Sequence, residues 1–433
     1  MSRSSATLAL CAALAVWLWP AGDSLVQAQT PGGHWPQWRG PDRTGVSADR
    51  GLLTSWPEGG PRRLWAASGL GQGFSSVAVA DGRILTMGDR RDGQYVIALE
   101  EATGRAIWAH RVGGVHRDQY PGPRGTPTID GARTYALSSD GTLVGLETAT
   151  GREVWRRSLP ADYNARTPGW MFAESPLVDG DRVVVAPGMP RAAMAALDKA
   201  TGREIWRTTM PSIGRQGMDS AEYSSIVISN GGGVKQYVRL IGRGVIGVRA
   251  SDGEFLWGYN RVANPTANIP TPVVNGNLVF ASTGYSAGAA LLELMPSPEE
   301  TVTARERYFL SAGTFQNHHG GMVLLNGYVY AGTGHNNGLP ICIELASGKV
   351  AWGGNFRNAG SGSAAVTAAD GHIYYRYQNG VMMLVEATPT EYREKGSFTI
   401  PNVRLPSWSH PVVTGGRLYL REQDALHVYD LRR

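Results

Sequence analysis

"ALDKATGREIW", Ala196 to Trp206, is the stretch on which the fold of this chain turns. Two short apolar runs flank a Thr-Gly pair. The glycine suits the left-handed position of a bulged hairpin turn, and a Trp falls on the outgoing strand. The pattern returns in "ALEEATGRAIW" (98–108), "GLETATGREVW" (145–155), "GVRASDGEFLW" (247–257) and "CIELASGKVAW" (342–352). Self-similarity at a regular period fixes an architecture before local propensity does.

A second hairpin signal precedes each copy. Asp81-Gly82, Asp130-Gly131, Asp179-Gly180, Asn230-Gly231, Asn275-Gly276, Asn326-Gly327, Asp370-Gly371 and Gly415-Gly416 recur every 44 to 51 residues between alternating apolar runs. Such dipeptides tolerate the positive φ of a two-residue hairpin. Each unit therefore reads as a four-stranded antiparallel sheet, strands A to D. One such sheet cannot cover both of its faces, and radial stacking of several gives a β-propeller. The Trp follows the first turn by 25 to 27 residues, which from Gly415 would run past residue 433. "PRRLWAAS" with Trp65 supplies the missing outer strand, so N- and C-terminal strands are expected to share a blade and close the ring. The expected fold is all-β: an eight-bladed propeller forming one domain over residues 29–433.

The composition fits many short strands and tight turns, with 57 Gly, 13 Trp and only 18% charged residues. Residues 1–28 read as a secretory signal peptide: Arg3, an apolar run from Ala6 to Trp19, and Val26-Gln27-Ala28 as cleavage site. Cys11 lies too early in that run for lipidation and follows Leu10, where a small residue is needed. No later segment approaches the roughly 18 apolar residues of a membrane helix. The expected location is periplasmic or secreted. After cleavage only Cys342 remains, which excludes an intrachain disulfide; its setting, Ile341-Cys342-Ile343, suits a small buried strand residue. The net charge of +5 comes from 41 basic and 36 acidic residues that are interspersed, so no nucleic-acid partner is expected.

The pattern ALDxATGxxxW resembles the pyrroloquinoline quinone (PQQ)-like propeller repeat, shared by quinoprotein alcohol dehydrogenases and by a non-catalytic factor of bacterial outer-membrane barrel assembly. "WPQWRGPDRTGVS" (35–47), "FAESPLVDGDRVVV" (172–185), "ANIPTPVVNG" (267–276), "NHHGGMVLLNG" (317–327) and "SWSHPVV" (407–413) are similar to exported bacterial members of this superfamily. The resemblance implies that the recurring Trp docks between neighbouring blades, which makes Trp108, Trp155, Trp206, Trp257 and Trp352 structural. Blades five and seven depart from it, with "YFLSAG" and "EKGSFTI" in place of the repeat.

Two motifs invite chemistry that the repeat contradicts. "GYSAG" (284–288) matches a nucleophile elbow, yet Ser286 falls between strands B and C where that motif needs strand, turn and helix. "GRGVIG" (242–247) matches a dinucleotide fingerprint, but the chain turns again at "ASDG" before any helix could receive a pyrophosphate. A PQQ- and Ca²⁺-dependent dehydrogenase acting on a small alcohol or sugar is the stronger alternative. Glu174 and Asn268, each just before an inner strand, are then the candidate Ca²⁺ ligands. Against it, the chain has no vicinal cysteine pair and no C-x-x-C-H haem site.

Chain direction places any site. The loops that lead into strand A and the B–C loops emerge at one end of the ring, the glycine turns at the other. The lead-in loops bring Arg124, Glu174, Tyr223, Asn268, His318, His319, Trp408 and His410; the B–C loops bring Tyr285, His335 and Asn336. Convergent polar and aromatic groups at a concave mouth make this the expected binding face. If His318 and His319 lie on a strand they point to opposite sides, so a histidine site is expected to use His335 with one of them. The reading is a non-catalytic scaffold for a protein, peptide or carbohydrate ligand, with no cofactor expected.

Overall fold

A computed structural model describes Met1 and residues 33–298 and 301–433; the expected signal segment beyond Met1 lies outside the described residues. The strands form eight four-stranded antiparallel sheets, seven of them running A to D in chain order. Blade one comprises Ala78–Ala80, Arg83–Asp89, Gln94–Glu100 and Ala106–Gly113. In blade eight, Val412–Thr414, Arg417–Glu422 and Ala425–Asp430 receive Arg63–Ala67 as their outer strand, with Trp65 opposite Val428. The ring is thus closed by both ends of the propeller sequence, as expected. The first strands of successive blades pack against one another around the centre. Among the described residues no helix is long and apolar enough to cross a membrane.

The first hairpin differs in register from the sequence reading in four blades. In blades two, three and five the Asp or Asn ends strand A. The turn is then Gly131-Ala132, Gly180-Asp181 and Gly276-Asn277, with only the glycine at positive φ. Asp130, Asp179 and Asn275 pair across the ladder, so the glycine moves from the second turn position to the first. In blade four Ser229 pairs with Gln236, leaving a longer loop over 230–235.

The second hairpin explains the repeat. In blades one to four and in blade six a bulge in the C–D pairing sets the Trp opposite a small residue: Ala98 for Trp108, Gly145 for Trp155, Ala196 for Trp206, Gly247 for Trp257 and Cys342 for Trp352. Cys342 is therefore the small residue beneath an indole, fully buried, with burial pushing its thiol up to about 12. Trp108, Trp155 and Trp206 also cover the turn glycine of the next blade. A Cβ on Gly151 would lie 2.5 Å from Trp108, and one on Gly202 2.7 Å from Trp155. Trp108 and Trp155 donate to the carbonyls of Thr148 (3.1 Å) and Lys199 (3.0 Å) beyond that glycine. In blade five Tyr308 takes this place: its hydroxyl donates to Leu345 O at 2.8 Å and its ring covers Gly348. Trp257 departs from the rule and donates within its own blade to Gln236.

"GYSAG" is a hairpin connection between Leu278–Thr283 and Gly288–Ser297, with Tyr285 and Ser286 both left-handed. "GRGVIG" joins Gln236–Ile241 to Gly244–Arg249. Neither leads into a helix.

Residues 33–47 occupy the centre of the ring. Trp35 exchanges backbone hydrogen bonds with Val79, and Pro36 O accepts from Ile129 N. Arg43 donates to the carbonyls of Ser175, Pro176 and Ile226, and Arg39 to that of Met322. Ser47 N donates to Ala368 O, and Gly45 O accepts from Ala368 N. The segment starts and ends at the glycine-turn side, where His34 N meets Thr414 Oγ1 and Leu52 N meets Asp370 Oδ2. It plugs the channel from that side, tying together the inner strands of seven blades through groups that burial leaves no alternative partner.

Candidate functional site

A ladder of hydroxyls joins the starts of the inner strands. Ser76 N donates to Thr126 Oγ1, Thr126 N to Ser175 Oγ, Ser175 N to Ser225 Oγ, and Ser225 N to Thr271 Oγ1. Ser76 Oγ closes onto His410 O at 2.7 Å. Three buried strand-B arginines hold the lead-in loops by their carbonyls. Arg239 donates to Ser224 O, Arg421 to Gly71 O, and Arg376 to Ser409 O and Arg421 O. Arg376 also pairs with Glu422 at 2.7 Å, and both contact Ser407 Oγ, so the loop carrying Trp408 and His410 is fixed from beneath.

These loops surround a cup of about 310 Å³ at the mouth of the ring, within the usual range for small-ligand pockets. Of the residues expected at this face, Arg124, Tyr223, His318, His319, Trp408 and His410 line it, with Tyr285 and Asn336 from the B–C loops. Trp38 from the plug contributes to the lining, as do Phe74, Tyr120, Trp170 and Gln378. Among the described lining residues there is no Asp or Glu, and Arg124 is the one Arg or Lys.

Glu174 and Asn268 do not line the cup. Glu174 is fully buried, accepts from Ala186 N at 2.7 Å and stands 3.2 Å from Arg239, an ion pair without hydrogen-bond alignment. Burial raises its carboxyl and lowers the Arg239 guanidinium, so desolvation outweighs their attraction on both sides. Asn268 Oδ1 accepts from Asn264 N, its Nδ2 donates to Asn264 O, and its backbone N donates to Glu222 Oε2. Both residues shape the loops that carry Trp170 and Tyr223.

The histidines lie differently from the alternation expected of a strand. Strand A of blade six begins only at Met322, and the preceding turn is clamped by Asn317, which accepts from Gly321 N and donates to Gly321 O and Gly332 O. Freed from strand alternation, His318 and His319 turn to the same side, ring centroids 4.0 Å apart, and both line the cup. His335 stacks 4.2 Å from His318, and Tyr285 N donates to its Nδ1. His335 backs the wall without lining it. Tyr285 and His335, in contact, both hold left-handed backbones, a strain that concentrates at functional loops.

Burial pushes His318 down to about 4 and His410 to about 3, and holds His319 well below the usual range; neighbouring histidines and Arg39 add to this. The three are neutral at pH 7. Ser363 Oγ donates to Asn336 Oδ1 and so accepts from His318 Nδ1, which leaves His318 Nε2 to accept the Tyr285 hydroxyl at 3.0 Å. Among the described residues, no group of three or more His, Cys, Asp or Glu is arranged to hold a metal ion.

Sequence reasoning missed Trp38 because its segment lies outside the repeat, although the run Trp35-Pro36-Gln37-Trp38 is itself unusual in a polar stretch. Phe74, Tyr120, Trp170 and Gln378 lay in stretches without a motif; their loop positions were the available signal.

The sequence matches the family model for outer membrane protein assembly factor BamB over residues 42–169 and 92–354. No curated protein matches it significantly. Among solved structures it is similar to BamB from Moraxella catarrhalis, with TM-score 0.59 and 14% identity over 86% of this chain and 98% of that one. It is similar to europium-containing methanol dehydrogenase, with TM-score 0.65 and 13% identity over 91% and 89%. It is also similar to quinohemoprotein alcohol dehydrogenase from Comamonas testosteroni, with TM-score 0.60 and 13% identity over 93% and 81%. At such identities the structural likeness concerns the fold. The matched family model spans most of the chain, and this protein belongs to the outer membrane protein assembly factor BamB family of PQQ-like propellers.

Proposed function

We propose that this protein is an exported, non-catalytic propeller that acts as a binding scaffold through the cup at its loop-rich face, for a protein, peptide or carbohydrate ligand. The observation that carries this reading is the lining itself: aromatic walls, neutral polar groups and one guanidinium, with no carboxylate among the described lining residues. Such a surface binds and orients: aromatic faces anchor a ligand and a few placed polar groups fix it.

The quinoprotein alternative fares worse on donor chemistry. Ca²⁺ takes about six to eight oxygen ligands. The Glu174 oxygens face Ala186 N and Arg239, and Asn268 Oδ1 is taken by Asn264. The residues present do not fit a Ca²⁺-assisted quinone, and no step is derived through one. The test is reconstitution of the purified chain with PQQ and Ca²⁺, following quinone absorbance and dye-linked oxidation of alcohols and sugars. No turnover is expected. Turnover that Glu174→Gln abolishes would overturn the scaffold reading.

A further inference from the structure

The hydrogen-bonding polarity of the cup narrows its ligand. Trp408 Nε1 can only donate, and it donates to Gln378 Oε1 at 2.8 Å; the amide is thereby fixed with its Nε2 donors free. Asn336 Oδ1 accepts both Ser363 N and Ser363 Oγ, which leaves its Nδ2 as donor. Tyr223 Oη accepts from Trp170 N, so its own O–H remains to be given. Arg124 uses one N–H on Gly122 O and one on Tyr120 O, and three of its five donors remain. Against these stand Tyr285 Oη, whose proton goes to His318, and one acceptor nitrogen on each of the neutral His319 and His410 rings.

A donor-rich lining without a carboxylate is complementary to a ligand rich in acceptor oxygens. A single guanidinium matches a single carboxylate, by charge and by fork geometry. The rings around it set the rest of the shape. Trp408 packs 4.8 Å from Tyr120 and 5.0 Å from Phe74, and Arg124 lies over Phe74. Flat apolar surface therefore adjoins the cationic corner. Asp118 and Asp89 interact with Arg124 electrostatically, but neither lines the cup, and Asp118 is paired with His116 at 2.8 Å.

Resting on the scaffold reading above, we infer that the cup binds a small monocarboxylate borne on a six-membered ring with an apolar face, with the carboxylate at Arg124 and that face against the Trp408 wall. The chemistry is shared by pyranose acids and aromatic acids. Isothermal titration of the full chain with galacturonate and with 4-hydroxybenzoate, each beside its neutral counterpart, galactose or phenol, separates the two sources.

At least one acid is expected to bind about tenfold or more tightly than its neutral counterpart. Arg124→Gln should abolish that preference, with Arg124→Lys restoring part of it. Should Arg124→Gln fail to fold, Gln378→Leu should weaken the acid by a smaller factor in a folded protein. A neutral compound that binds as tightly as its acid overturns the carboxylate assignment while the cup stands as a binding site. Silence from all four compounds overturns the assignment, and only binding of some other ligand at the cup would then rescue the scaffold reading.

Discussion

His319 packs edge-on against Trp408, ring centroids 4.5 Å apart, although the two come from lead-in loops of blades six and eight. The pair reaches past blade seven, and it joins the neutral histidine wall to the indole that fixes Gln378. Trp408→Phe keeps an aromatic ring but removes the N–H. The expected cost is about 1 kcal/mol of stability, read by urea unfolding, with a larger proportional loss of ligand affinity because the Gln378 amide is no longer held. Equal affinity in the variant would remove Trp408 from the binding wall.

Gly202 and Gly180 separate the two reasons for glycine in this fold. Both have positive φ, but a Cβ at Gly202 would meet Trp155 at 2.7 Å, whereas nothing lies within 4 Å of one at Gly180. Gly180→Ala should cost about 1 kcal/mol for backbone strain alone. Gly202→Ala should cost about 2–4 kcal/mol by adding displacement of the interblade indole. Comparable losses in thermal unfolding would show that the Trp does not depend on the glycine beneath it.

Glu174→Gln leaves Arg43 buried without its counter-charge and Arg239 with Glu222 alone. Breaking a buried pair on one side costs about 3–5 kcal/mol, and urea unfolding should show a loss of that order. Addition of Ca²⁺ should shift neither the wild type nor the variant. A Ca²⁺-dependent rise in the wild-type melting temperature that the variant lacks would restore Glu174 as a ligand.

His318 titrates near pH 4 when folded and near its ordinary value of 6.5 when unfolded. Its folded pKa is depressed, so as pH falls below about 6.5 the unfolded chain takes up a proton that the native state refuses. Stability falls through that window and levels off below about pH 4. Relative to wild type, His318→Gln should therefore gain stability by an amount on the order of 1–3 kcal/mol between pH 6.5 and 4. A pH-independent difference would mean that His318 is not held neutral by its surroundings.

The architecture was legible because its cause is local. Within one unit, a turn glycine and a Trp at fixed spacing encode the surface that the next blade needs, and the eight first-hairpin dipeptides count the ring. What the repeat conceals are substitutions of equivalent physics: Tyr308 replaces an indole without sharing its letter, and Asp130 can end a strand as well as open a turn. The end of the ring that carries the cup was legible from chain direction alone. The membership of the cup was not, because Glu174, on the loop of Trp170, turns inward to Arg239 of the next blade, and Asn268 spends its side chain on Asn264 of its own loop. His318 and His319 defied strand alternation because Asn317 bends the chain before the strand begins. Trp38 was hidden for another reason: its segment is held by backbone carbonyls of many blades, and such partners leave no pattern in side chains.

The central claim is that the cup, and no other surface, is where this protein binds. Ala173 lies in the lining, and Ala173→Trp would fill the cup without touching the buried ion pairs. Calorimetric titration of wild type and Ala173→Trp with the same ring carboxylates tests this directly. The account predicts saturable binding by the wild type and at least about tenfold weaker binding by a variant of unchanged melting temperature. Equal binding by both proteins would contradict it.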